Sequence, residues 1–316
     1  MLAPTMRNWF GRGEDANMAP PPLVQPLLSA APPMEPERDR RPPQPPAPPW
    51  SRDRQDIVDA LWGDGFQFPG GEIETLRLAK PLGLSAASSL LLLGAGGGGA
   101  ACSLAAKLGV WVNGFEADED LIAAAQTRIS RTKLGKRAQV EPWSPAEPDL
   151  ARHYYHHALA LEPLRDCKPE PTLAAIAAAI KPGGQLMLVE LVADAPLDPT
   201  DPDVRRWARL EHRNPEALPT ETTITRVLGR LGFDVRIVED ISRRHMDQAM
   251  LGWRTRVRDL EDARPNRRQA GLIVTEAELW LARMRLFRTK RLRLVRWHAI
   301  GRGVRTKVVG SSGGVR

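Results

Sequence analysis

Apolar and polar positions along the chain settle into a regular alternation only after residue 50. Ile57, Ala60 and Leu61 in "DRQDIVDALWGDG", then Ile73, Leu76 and Ala79 in "GGEIETLRLAKPLGL", recur at helical spacing. They predict two short helices leading into a core. The unbroken apolar run at 90–93 then predicts a buried strand, followed by a helix at 100–108, a strand at 110–115 and a helix at 118–131. A strand at 138–143 is weaker, because Pro142, Pro145 and Pro148 crowd it. "HHALALE" is the fourth strand, "PTLAAIAAAI" a helix, and "QLMLVELVA", directly after the turn "KPGG", the fifth strand.

Strands alternating with helical segments of this length specify a doubly wound α/β fold, a parallel sheet covered by helices on both faces. The C-terminal part differs in kind. "TETTITRVLGRLGF" is an amphipathic helix, "DVRIVED" a strand, and helical stretches follow at 246–262 and 275–290. "RLRLVRWHAIG" alternates well enough to close the sheet. The helical pair has no place within such a sheet and is expected to cover one end of it.

Composition separates the two ends of the chain from this core. Thirteen of the 29 prolines lie between Pro20 and Pro49, so residues 1–50 read as a disordered arm with polyproline character, and the folded domain as 51–302. The net charge of +7 is unevenly spread. From Arg283 onward there are 11 Lys or Arg and no acid, while the remainder carries 34 basic against 38 acidic residues. The C-terminal end, with a flexible basic tail at 303–316, is therefore where an anionic membrane surface would be met; nucleic acid is not expected. Charges and glycine interrupt the opening residues where an export signal needs an apolar core, so a cytoplasmic location is expected. The uncharged run at 90–106 reads as a strand and turn, since glycines occupy its centre. Cys102 and Cys167 are too few for a disulfide framework or a thiolate metal site.

The chemistry centres on "LLLLGAGGGGAACSLAAKLGVWVNGFEADED". Gly94, Gly96 and Gly98 end a strand where the backbone must turn and approach a ligand, and the next helix presents free amides. Glu116 ends the following strand, 22 residues beyond Gly94, where a carboxylate can hold both hydroxyls of a ribose. Asp118, Glu119 and Asp120 suit the first turn of a helix. Gly94, Gly96 and Gly99 also satisfy G-x-G-x-x-G, so a nicotinamide-dependent oxidoreductase competes at this point.

Three segments together resemble the class I methyltransferases that use S-adenosylmethionine: "LLLLGAGGGGA", "GFEADEDLIAAAQ" and "LAAIAAAIKPGGQLMLVE". The last is the most specific. The resemblance implies a Rossmann-like seven-stranded sheet with an antiparallel last strand, and S-adenosyl-L-methionine held by Gly94, Ala95, Gly96, Gly98, Glu116, Ala117 and Leu161. Upstream, "LWGDGFQFPGGEIETL" resembles the segment that precedes the core in small-amine and phosphoethanolamine N-methyltransferases. It implies that Phe66, Gln67, Phe68 and Gly70 line the methyl-donor side, with the alternative of a plain turn at Pro69–Gly71. Residues 246–290 would cover a small-molecule or lipid-headgroup acceptor.

Methyl transfer from a sulfonium asks the protein mainly for alignment, and for a base only when the nucleophile carries a proton. Glu162, ending the fourth strand, is the candidate base or substrate orienter. His153, His156 and His157 do not form a metal site, because adjacent side chains on a strand point to opposite faces. Two positions depart from the family pattern: Leu92 and His156 stand where acids are usual. They motivate a second hypothesis, a methyltransferase-like binding protein that has lost catalysis.

Overall fold

The computed structural model describes residues 49–165, 167–262 and 264–302. Most of the expected proline-rich arm and all of the expected basic tail lie outside these residues.

Helices α1 (Arg52–Trp62) and α2 (Gly71–Ala79) precede β1 (Ser89–Leu93), α3 (Gly99–Leu108), β2 (Trp111–Glu116), α4 (Glu119–Ser130), β3 (Ala138–Pro142) and β4 (Tyr155–Leu161). Then come α5 (Pro169–Ala179), β5 (Ile180–Val192), α6 (Pro202–Glu211), α7 (Glu221–Arg230), β6 (Phe233–Asp240), α8 (Ser242–Asp262), α9 (Arg267–Arg288) and β7 (Arg293–Gly301). The sheet order is β3-β2-β1-β4-β5-β7-β6. β1 to β5 are parallel, and β7 runs antiparallel to both β5 and β6. The antiparallel strand inserted before the edge separates this sheet from the all-parallel 3-2-1-4-5-6 order of dinucleotide folds. The seven strands and the antiparallel last strand agree with expectation.

The centre of the sheet explains the apolar run at its start. Leu90, Leu91, Leu92 and Leu93 are each 0% exposed, because β1 has helices over both faces and strands on both sides. Leu91 and Leu93 pack with Ala158, Ala160, Leu186 and Trp297 on one side. Each leucine so buried contributes about 1.5–3 kcal/mol.

Three boundaries differ from the sequence expectation, each for a local reason. "KPGG" is part of β5, not a turn before it: β4 pairs Tyr155 with Ile180 but His157 with Gln185, so the intervening residues bulge out and Gly183 takes φ 79°. α9 begins at Arg267, well before 275, because Asn266 and Gln269 form a reciprocal capping box. α8 likewise starts at Ser242 rather than at 246. α6 was not expected at all, although Asp201 accepts from the amides of Asp203 and Val204, Pro202 occupies the first turn, and Val204 and Trp207 are buried at i, i+3 spacing.

Candidate functional site

A cavity of about 390 Å³ opens at the C-terminal ends of β1, β2, β4 and β5. In a doubly wound sheet this is where chain connections diverge and leave a crevice. β1 supplies the glycine loop, β2 ends in Glu116, β4 ends in Leu161 and Glu162, and α8 and α9 cover the far side through His245, Glu276, Trp280 and Arg283.

Gly94 and Gly96 line the cavity with φ of 71° and 57°, the left-handed region in which a side chain is strained. Their tight partners differ. A Cβ on Gly94 would lie 2.2 Å from the Leu161 carbonyl oxygen, so β4 runs directly against it. A Cβ on Gly96 would lie 1.8 Å from Gln67 Oε1, which accepts the Gly97 amide at 2.8 Å. Arg128 of α4 completes the fastening by donating to the Gly97 carbonyl and pairing with Asp59 and Asp64 of the upstream segment. The upstream segment is thus built into the loop's geometry.

Glu116 faces this loop. Its Oε2 accepts the Gly96 amide at 2.8 Å, and its Oε1 accepts the amides of Ala117 and Asp118 at 2.8 and 3.2 Å. Burial raises its carboxyl above the usual range, and the three amides oppose that. Asp118 caps α4 by accepting from Asp120 and Leu121, which leaves Glu116 as the strand-end acid aimed across the crevice. Leu121, Trp143 and Pro145 give this side apolar walls.

The opposite side is an ion-pair network. Glu162, with φ 47°, is 2.7 Å from Arg283 and 3.1 Å from Arg213. Arg213 also meets Glu190 at 3.3 Å, and Arg283 meets Glu211 at 3.2 Å. Burial raises the Glu162 carboxyl, but Arg283 and Arg213 outweigh it and hold it down at about 2. Glu190, fully enclosed and accepting from the amides of Leu164 and Leu191, is pushed up to about 7 by burial against the pull of Arg213. Burial, then the Arg283 charge, pushes His245 down to about 3, so its ring is neutral. Arg54 closes the mouth: it donates to Glu276 at 2.9 Å and lies 4.2 Å over the Trp50 ring.

Of the residues singled out from sequence, Gly94, Gly96, Glu116, Ala117, Gln67, Phe68, Leu161 and Glu162 line this cavity. Four others are not among the residues that line it. Ala95 is buried and donates its amide to the Phe115 carbonyl. Gly98 takes φ 87° beside α4, where a Cβ would meet Ala125 at 3.0 Å. Gly70 is the left-handed residue before α2, where a Cβ would meet that of Glu74 at 2.9 Å. Phe66 packs in the core. A carboxylate so firmly held as Glu162 is a weak proton acceptor, so its geometry suits orienting over abstraction.

The departures also resolve spatially. His156 lies at the opposite end of β4 from the cavity, with Nδ1 2.8 Å from Ser89 Oγ and Nε2 3.1 Å from Lys181 Nζ. It ties β4 to β1 and has no place in the crevice. His153 contacts the Ile180 carbonyl and His157 accepts the Gln185 amide. Leu92 is sealed between β2 and β4. The basic end is largely consumed by the fold: besides Arg283, Arg285 and Arg291 pair with Asp203, Arg293 with Asp194 and Glu221, and Arg296 with Glu239.

Arg128, Arg213, Glu190, Glu211, His245 and Arg283 were not singled out from sequence. Arg213 and Arg283 are 70 residues apart and meet at Glu162, so no local pattern could have marked them. Among the described residues no helix is long and apolar enough to cross a membrane.

No protein-family model matches the chain, and no curated protein matches it significantly. Solved structures do. A phosphoethanolamine N-methyltransferase 2 of Haemonchus contortus, in complex with phosphomonomethylethanolamine and S-adenosylhomocysteine, superposes with a TM-score of 0.70 at 18% identity over 80% of this chain. The match spans only 58% of that protein's length. A proposed sarcosine dimethylglycine methyltransferase of Galdieria sulphuraria has a TM-score of 0.63 at 14% identity, covering 79% of this chain and 98% of that one. Geranyl diphosphate C-methyltransferase of Streptomyces coelicolor A3(2) has 0.57 at 12%, covering 72% and 79%. Together with the strand order, these likenesses give the chain the fold of the class I S-adenosylmethionine-dependent methyltransferases.

Proposed function

We propose that this protein binds S-adenosyl-L-methionine and transfers its methyl group to a small-molecule acceptor. The observation that carries the reading is Glu116: a strand-end carboxylate placed in the crevice beside Gly96, whose amide it accepts at 2.8 Å. The residues present fit that cofactor. Glu116 suits the ribose hydroxyls, Gly94 and Gly96 bring backbone to the wall, and Leu121, Trp143 and Pro145 provide apolar surface for a planar base.

When bound, the cofactor supplies an electrophilic methyl on a sulfonium. The protein's part is to align and enclose. Leu161 and Glu162 form the β4 end of the cavity, and Arg213 and Arg283 fix the Glu162 carboxylate so that it orients a polar acceptor. α8 and α9, with Trp50 and Arg54, cover the site and limit water. A neighbour solved with a phosphobase and S-adenosylhomocysteine supports a small polar acceptor.

Isothermal titration with S-adenosylhomocysteine tests the reading. Saturable micromolar binding abolished by Glu116→Ala is expected; absence of heat from folded protein would refute it. Leu92, apolar where the family has an acid, favours the second reading, a binding protein without catalysis. Binding of S-adenosylhomocysteine without methyl transfer to any of a panel of amines, phosphobases and phenols would select that second reading.

A further inference from the structure

We propose that the end of the sheet opposite the cleft docks on an anionic lipid bilayer. The strands enter the sheet there, through residues 83–88, 108–110, 131–137, 152–154, 181–184 and 231–232. Those segments hold Arg131, Lys133, Lys136, Arg137, Arg152 and Lys181 and no acid. None of the six pairs with a carboxylate among the described residues; Arg137 donates to the Gly109 carbonyl, and Lys181 Nζ lies against His156. Arg302 extends the same end, its amide bonded to the Gly232 carbonyl.

The two ends of the sheet differ in how their charges are paired. The segments leaving β2, β4 and β5 at the cleft end carry Asp118, Glu162, Asp194, Asp198 and Asp201 beside Arg165 and Lys168. Arg213, Arg283, Arg291 and Arg293 at the cleft end pair with acids there, whereas the six cations at the opposite end have no carboxylate partner among the described residues.

Side-chain type favours a bilayer. Arg137 enters β3 and Lys181 lies within β5, four strand spacings or about 19 Å apart, so the cations span the width of the parallel strands. Trp111 and Tyr154 are 45% and 55% exposed beside them, bordering a hollow of about 200 Å³ with Ser89, Asn113 and Lys136. Tryptophan and tyrosine among lysines and arginines suit the headgroup layer of an anionic leaflet. Docked this way, the cleft faces away from the bilayer and takes its acceptor from the aqueous side.

Vesicle sedimentation of the full chain tests this with phosphatidylcholine alone and with added phosphatidylglycerol, at low and high salt. At least about tenfold more protein should pellet with the anionic vesicles at low salt, and high salt should release it. Lys136→Glu with Arg137→Glu should remove most of that binding. Arg254→Glu with Arg267→Glu, an equal charge change on the exposed side of α8 and α9, should not. Trp111→Ala should weaken binding severalfold at unchanged net charge. The proposal is overturned if anionic vesicles do not pellet the protein, or if both charge pairs act equally. It is also overturned if single-stranded RNA binds at this face and anionic vesicles fail to compete. S-adenosylhomocysteine titration of the same variants reads the cleft separately, so failure here leaves the cofactor reading untouched.

Discussion

Arg283, late in α9, reaches 2.7 Å from the carboxylate of Glu162 at the end of β4, joining the helical cover to the floor of the cleft. Both groups sit in a network in which Arg213 holds the other Glu162 oxygen and Glu211 the other Arg283 nitrogen. Removing one member of a buried pair costs about 3–5 kcal/mol, because the other charge is left uncompensated. Arg283→Met should therefore lower stability in urea unfolding by about 3 kcal/mol. Adding Glu162→Gln to that variant should cost much less than it does alone, with a coupling above about 1 kcal/mol. Additive losses would mean that the pair does not anchor the cover.

The glycine loop makes a sharper distinction. Gly94→Ala drives a Cβ into the Leu161 backbone at a left-handed φ, and backbone in a sheet cannot yield. Gly96→Ala meets only the end of Gln67, which can swing away. Thermal unfolding should show a loss of more than about 2 kcal/mol for the first and about 1 kcal/mol for the second. Gly96→Ala should be relieved by Gln67→Ala, and Gly94→Ala should not. Equal effects at the two glycines would contradict this account.

Glu116 carries the cofactor proposal, and its charge is the testable part. Glu116→Gln keeps an oxygen for the Gly96 amide but loses the anion, and hydrogen bonds to a charged group are worth about 1.5–3 kcal/mol. S-adenosylhomocysteine affinity should fall about 10- to 100-fold, with the urea midpoint nearly unchanged. An unaltered affinity would remove Glu116 from the site.

Glu190 predicts a pH dependence. Its folded-state value, pushed up to about 7 by burial, lies above the ordinary 4.5. The stability it contributes is present below about 4.5 and lost as pH rises through 7, on the order of 3 kcal/mol. Glu162 works in the other direction, and its contribution is lost as pH falls toward about 2. Urea unfolding from pH 5 to pH 8 should show a decline that flattens in Glu190→Gln. An identical slope in the variant would show that Glu190 does not hold its proton.

The order of elements was legible because each announces itself locally. The apolar run from Leu90 to Leu93 reads as a buried strand, and Glu116 stands at a fixed distance beyond the glycines. α6 was missed although its Asp201 cap and Pro202 were there to read, since its polar composition hid the short apolar stripe of Val204 and Trp207.

What the chain determined by itself was the α/β alternation, the glycine turn and the acid opposite it, all set by neighbours within about 25 residues. Only the tertiary structure decided which glycines face the cavity, that His156 stands at the far end of its strand, and that Glu162 is clamped between Arg213 and Arg283. It also turned a basic C-terminal segment into internal ion pairs and gathered cations from separate loops onto one end of the sheet. Charges act through space, so their partners are fixed by how strands and helices stack and not by their spacing along the chain.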